Sequence, residues 1–444
     1  MREHAGVTRE ELKHSALVTV AVLMAVGLVA AWSVLIPGVD AWENIVVAVI
    51  GSLRLTGPVA AAFAAWVALR KRRALRGRSV GAWRALKAPL AIVVVVAGAF
   101  GATVLVLAVK TVLTEQAGRV SVPGLAMGMA GLALYAMIGW VIGWLLPHGW
   151  TPALTGLASY VVFSWLAPAS TWLDRLTPGT GEPYDLFQGL SAAAFLDQTL
   201  WLLGVTATIL LGWAAWVTRQ RLALAAALVA VLVAGVGVAR LLSQGASDEH
   251  ASIAYACQDW PITVCVHPGM RGGLTELSAA FTKVASRLSG TPAAFTRVEQ
   301  RPLDSELKAG SGVVPIHMAD LSPGFAEQAV GAYVEGLAAR CERETGAGYR
   351  EIVVAWLLGE PLPGGPLPEH QSAAAWFSGL SEHQRRGWLR MFYNDFQSCR
   401  LSARHFGGEP AAMAGRARPN PGVVQLYPVR QNATVTGVSW PGTR

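Results

Sequence analysis

Between Ala16 and Leu242 the chain repeats one pattern: apolar stretches of about 20 residues separated by short polar connections. A helix of that length crosses a hydrocarbon layer of roughly 30 Å, so each stretch reads as a membrane span. Seven spans are predicted, at about 16–35, 44–69, 90–109, 125–146, 153–166, 199–217 and 222–242. The second is longer than one crossing needs and is interrupted by Arg54 and Pro58, so 44–53 is expected partly in the interface. The polar N-terminus, MREHAGVTREELKHS, is expected as a short amphipathic surface helix ahead of an uncleaved anchor.

Charge orients these spans. The stretch from Arg70 to Lys87, RKRRALRGRSVGAWRALK, holds eight of the 36 Lys and Arg residues. Basic loops between spans stay on the cytoplasmic side. With the N-terminus inside, the inner segments carry thirteen Lys and Arg and the outer loops three. The C-terminal part then lies outside the cell membrane of a bacterium. The net charge of +8 belongs wholly to the first 242 residues, where 18 basic groups face 10 acidic ones. From Ser243 onward 18 basic balance 18 acidic groups, so the basicity serves topology and nucleic-acid binding is excluded.

The composition changes at Ser243. Residues 1–242 read as the transmembrane domain, 243–406 as a soluble domain and 407–444 as an extended Gly/Pro-rich tail. All four cysteines, Cys257, Cys265, Cys341 and Cys399, fall in the second part, which fits an oxidising compartment. They allow three pairings, or four buried thiols. Cys257–Cys265 is favoured by closeness in sequence, and Cys341–Cys399 by positions on helix faces. Strands are predicted at 252–255, 262–266 and 294–298. Helices are predicted at 271–288, 325–341 and 381–406. The last opens on a capping box, Ser381 with Gln384, and buries Trp388, Met391, Phe392, Phe396 and Cys399. The fold class is a polytopic α-helical membrane protein of about seven spans, followed by a helix-rich α+β extracytoplasmic domain.

Motifs for chemistry are few. The chain has no P-loop, no H-E-x-x-H, no zinc-like His spacing and no G-x-S-x-G, so neither a catalytic residue nor a metal ligand is assigned. A Ser, His and Asp brought together only by folding would escape such a scan. Cys265-Val-His-Pro-Gly-Met-Arg271 reads as a turn into the following helix, or as a ligand site at that turn. Arg54 is a charge inside an apolar stretch, where burial costs on the order of 3 kcal/mol or more. It faces a pathway or partner, or it snorkels toward Glu43 and lipid headgroups. The Gly124-x-x-x-Gly128 and Gly139-x-x-x-Gly143 spacings read as helix-packing surfaces.

SLRLTGPVAAAFAAWVALRKRR, from Ser52 to Arg73, resembles the second span and following basic loop of ABC-2 type transporter permeases. The resemblance extends over about residues 1–220, and the seventh span and the outer domain depart from it. It implies a membrane subunit that pairs with a cytoplasmic ABC ATPase and with a second permease, as homodimer or heterodimer. ATP would be bound by the partner, with no cofactor in this chain. The coupling loop would comprise Arg70, Lys71, Arg72, Arg73, Arg76, Arg78, Trp83, Arg84 and Lys87, with Trp83 and Leu86 as apolar contacts. The expected function is that of an exporter permease whose outer domain gates or handles substrate. The alternative is a membrane anchor or sensor whose outer domain binds a ligand or partner.

Overall fold

The computed structural model describes residues 9–75, 82–113, 115–166, 176–179, 186–187, 189–243, 254–303, 305, 312–341, 344–365 and 367–408. The expected tail therefore lies outside the described residues, apart from Gly407 and Gly408, and so do Arg76 and Arg78 of the basic loop.

The N-terminal part is a bundle of helices: α1 (Arg9–Val34), α2 (Trp42–Gly51), α3 (Leu53–Leu75), α4 (Ala82–Leu113), α5 (Val122–Leu145), α6 (Thr151–Leu166), α7 (Ala192–Thr218) and α8 (Arg221–Ser243). Five of these, α1, α4, α5, α7 and α8, are long and apolar enough to cross a membrane. A sixth crossing is reached if α2 and α3, bent by 42° about Ser52, count as one. The fifth predicted span, 153–166, is α6, whose 16 described residues extend about 24 Å, less than the hydrocarbon layer. Residues 1–8 of the expected N-terminal surface helix lie outside the described residues, and from Arg9 onward the segment is continuous with α1.

Small residues decide how closely the helices pack. On α5, Gly139 and Gly143 lie directly on the backbone of Ala61 and Ala65 of α3, leaving no room for a Cβ. Two small-x-x-x-small ridges thus face each other, which suits membrane helices that gain little from hydrophobic burial. Gly124 meets Val46 of α2, and Gly128 meets Phe100 of α4. The α7–α8 hairpin repeats the device, with Gly204 against Ala234 and Gly237 against Trp201. Near its open end the buried Asp197 carboxylate lies 3.4 Å from Arg240 Nη1. Trp140 and Trp213 stand edge to face at 5.4 Å, buried between the helices.

The C-terminal part is an α/β unit with a separate core. Strands β1 (Ala256–Gln258), β2 (Thr263–Val266), β3 (Arg297–Gln300) and β4 (Val313–Ile316) pair in that order, β1–β2 antiparallel and the rest parallel. Helix α9 (Leu274–Leu288) connects β2 to β3, and its Leu277, Phe281, Val284 and Leu288 share the core with Val264, Val298 and Val314. The other helices are α10 (Phe325–Gly336), α11 (Glu344–Leu358), α12 (Pro368–Ser378) and α13 (Glu382–Gln397). The sheet's second face carries the Cys257–Cys265 disulfide and Glu299, which lies 3.3 Å from Arg297 and 3.0 Å from Arg301.

Several sequence expectations need correction here. The first strand begins at Ala256, and β4, α11 and α12 are additions. Helix α10 stops at Gly336 and α13 at Gln397, where a turn and a short 3₁₀ segment (Ala403–Phe406) replace the predicted continuation. Met391 is 75% exposed: the buried stripe runs through Trp388, Leu389, Tyr393 and Phe396, and at 100° per residue Met391 falls on its far side. The capping box of Ser381 and Gln384 is present as expected. Cys341 and Cys399 are bonded with Cα atoms 5.6 Å apart. Neither sits on a helix face, since each follows the end of its helix. Closing a loop of 58 residues stabilises the fold by about 4 kcal/mol in the chain-entropy account.

The α3–α5 seam gives a direct test. Gly139→Ala should cost about 1–3 kcal/mol through overpacking, read as a lowered melting temperature in detergent. Gly139→Leu should abolish monodisperse protein. Gly98→Ala, with no atom near its Cβ, should leave melting unchanged.

Candidate functional site

Cys265-Val-His-Pro-Gly-Met-Arg271 begins at the end of β2 and continues into a 3₁₀ turn, Pro268–Gly273. His267 caps that turn: its Nδ1 accepts the Gly269 N–H at 3.1 Å. Its own N–H donates to Gln300 Oε1 at 2.8 Å, and Gln300 Nε2 donates to the Met318 carbonyl at 3.3 Å. A buried glutamine thus ties together the carboxyl ends of β2, β3 and β4. In open α/β sheets this is the edge where ligands usually bind.

Here that edge is filled by the helical bundle. Residues 35–41, the strap between α1 and α2, insert Val39 and Ala41 into the α/β core. Asp40 N–H donates to the Gly269 carbonyl at 2.7 Å, and Leu321 N–H to the Pro37 carbonyl at 3.0 Å. Ala117 N–H donates to the Asp40 carbonyl at 2.8 Å, and Trp42 N–H to the Ala117 carbonyl at 3.0 Å. The Asn44 amide holds the strap from below, donating to the Ile36 carbonyl at 3.1 Å and the Val39 carbonyl at 3.0 Å. Arg271 reaches Glu115 Oε2 at 2.7 Å and the Glu115 carbonyl at 2.9 Å. Phe187, from the segment before α7, stands edge-on to the His267 ring at 5.5 Å. The motif is a docking surface, and among the described residues no group of three His, Cys, Asp or Glu could hold a metal ion.

The expected coupling residues lie at the opposite end of the bundle. Arg70, Lys71, Arg72 and Arg73 continue α3, while Trp83, Arg84 and Lys87 begin α4, so most of the loop is helical. Trp83 is 73% exposed, and Arg70, Lys71, Arg73, Arg84 and Lys87 are exposed with it. Arg70 stacks on Trp66 at 3.9 Å. Two of the expected contacts turn inward. Arg72 donates to the Trp144 carbonyl, and at 3.1 Å to the Leu145 carbonyl, which caps α5. Leu86 packs on the bundle core.

Arg54 is exposed on the surface of the bundle, just past the α2–α3 bend. Gly51 lies against Val34 at the end of α1, and Thr56 lies beside Gly27. Interpolating at 1.5 Å per residue puts Arg54 only about 6 Å below the end of α1. An arginine snorkels across such a depth.

One Ser–His–Asp line exists among the described residues. Ser402 Oγ is 3.2 Å from His405 Nδ1, and His405 Nε2 is 3.6 Å from Asp395 Oδ2. His405 Nδ1 already accepts the Ser402 N–H at 3.0 Å, closing a capping box on the 3₁₀ turn. The arrangement therefore ends a chain segment and leaves no free base. Burial pushes the Tyr255, Tyr333, Tyr349 and Tyr393 phenols up, with the Glu299 carboxylate adding to the rise at Tyr255. These groups stay protonated at neutral pH.

Gly38 sits at φ +73°, with Leu321 packed where a side chain would go. Gly38→Val should therefore cost about 2–4 kcal/mol and speed amide exchange in 38–41 and 269–271. Arg271→Ala, which removes a solvent-exposed pair, should cost no more than about 1 kcal/mol.

In comparison with known proteins, no family model matches the chain, and no curated protein or solved structure is significantly similar to it.

Proposed function

We propose that the chain is the membrane-spanning permease subunit of an ABC-type exporter, driven by a separate cytoplasmic ATPase that binds ATP. It would act as a homodimer or with a second permease. One observation carries this reading. The bent α2–α3 pair begins in the strap gripped by the α/β unit and ends in the exposed basic cluster Arg70, Lys71 and Arg73. A push on the basic end has a path to the α/β unit through two directly joined helices, which a passive anchor would not need.

In this reading the ATPase docks on the ends of α3 and α4, with Trp83 as its apolar contact. The α/β unit faces the outside, where it gates or handles the substrate. Seven crossings with the N-terminus in the cytoplasm are supported by an alternation of contacts. The α1–α2 and α4–α5 connections and residues 186–187 all touch the α/β unit. The ends of α3 and α5 meet elsewhere, through Arg72. Both disulfides fit an oxidising compartment.

The second reading, a membrane anchor or sensor, draws on the extent of the strap contact, which suits a domain held permanently against the bundle. Affinity purification of the full-length chain from its native membrane separates the two. The exporter reading expects an ABC ATPase as a stoichiometric partner. It expects that partner to be lost when Lys71, Arg73, Arg84 and Lys87 are changed to Glu, with Arg72 left intact to cap α5. Purification without an ATPase would favour the anchor.

A further inference from the structure

The α2–α3 bend leaves the helical ladder incomplete inside the bundle. Ser52 N–H returns to the Ala48 and Ile50 carbonyls. Ser52 Oγ donates to the Val49 carbonyl at 2.6 Å. Leu55 and Thr56 N–H both go to the Ser52 carbonyl at 3.0 Å. In a regular helix Leu53 N–H would take the Val49 carbonyl, and Arg54 N–H the Ile50 carbonyl. Both acceptors are engaged by Ser52, and no backbone bond crosses from Leu53 or Arg54 to α2. Gly51–Ser52 is the small, polar pair at which such breaks form, and bends of this size also arise where water enters the ladder.

Beside the bend lies a cavity of about 10 Å³, bounded by Gly27 of α1, Ser52, Thr56, Thr103 of α4 and Leu132 of α5. Ser52, Thr56 and Thr103 are all nearly inaccessible to solvent. Thr56 Oγ1 donates to the Ser52 carbonyl at 3.0 Å, and Thr103 Oγ1 to the Ala99 carbonyl at 3.1 Å. The three hydroxyl protons are therefore committed to the backbone, and the hydroxyls offer the cavity lone pairs. An anion finds no donor among them. A metal cation such as calcium takes about six or more oxygens, mostly carboxylate and carbonyl, and no carboxylate lines the site. A water molecule needs roughly this volume and two to four polar partners. Gly27 is matched to the site: a Cβ there would stand 3.0 Å from Thr103 Oγ1 and 3.3 Å from Thr56 Cγ2.

We propose that this cavity is a binding site for a single water molecule, which donates to the buried hydroxyls of Thr56 and Thr103 and bridges the α2–α3 bend and α4. The Thr56 hydroxyl, which donates to the Ser52 carbonyl at the bend, is thereby tied to α4 through an exchangeable molecule. This inference does not depend on the exporter reading, since it concerns the bend in the isolated chain.

The test uses the full-length protein in lipid nanodiscs. A structure at a resolution that reveals ordered water should show one peak within about 2.7–3.2 Å of at least two of the three hydroxyls. Thr103→Val keeps the shape and removes the acceptor, so it should lose the peak and lower the melting temperature by about 2–5 °C. In a dry apolar gap the added methyl would instead leave melting unchanged or raise it. A wild-type cavity without a water peak, or a Thr103→Val variant at least as stable as wild type, would overturn the proposal.

Discussion

The backbone of five residues, Pro37 to Ala41, holds the two halves of this protein together. It offers the Pro37 and Asp40 carbonyls and the Asp40 N–H to neighbours from three other segments, while Val39 and Ala41 enter the α/β core. Unpaired backbone groups are costly when buried, so a strap satisfied from both sides is strongly fixed in register. The Arg271–Glu115 pair at its edge is solvent-exposed and adds little by comparison. Because the strap leads directly into α2, the α/β unit is attached to a span-forming helix as well as to the end of α8.

This attachment explains the use of the sheet. The carboxyl ends of β2, β3 and β4, drawn together by Gln300, form the edge where a free-standing α/β domain would present a ligand site. Here the edge receives the strap, and His267 serves as a cap. The opposite end of the α2–α3 pair carries exposed cations and stacks Arg70 on Trp66. Between the two ends the pair is packed rigidly on α5 through Gly139 and Gly143 but bends at Ser52. Rigid contact over most of its length and a break near one end are the properties of a lever.

Much of this could be read from the sequence, for reasons local to it. Apolar length and basic loops require only composition, so α1, α4, α5, α7 and α8 were visible. The interruption near Arg54 marked the α2–α3 bend. Gly139-x-x-x-Gly143 named one half of a packing ridge, and Ser381 with Gln384 named a helix start. What could not be read depends on contacts distant in the chain. Nothing local distinguishes CVHPGMR as a docking turn from a ligand loop until the strap, more than 200 residues earlier, is seen against it. Arg72 sits in a run of cations, and only the fold shows that it caps α5. Met391 lies three residues after Trp388, but the stripe that the core selects is centred on Leu389, Tyr393 and Phe396, which leaves it in solvent.

The central claim is that α2 and α3 couple the basic face to the α/β unit. It is tested most directly by spin labels at two exposed positions, Trp150, beside the end of α5 that Arg72 caps, and Trp260, in the full-length protein reconstituted with the ATPase proposed as its partner. Double electron–electron resonance would compare the distance distribution with and without ATP. The account predicts a nucleotide-dependent shift that Gly38→Val weakens by loosening the strap. Identical distributions in a complex that hydrolyses ATP would contradict it.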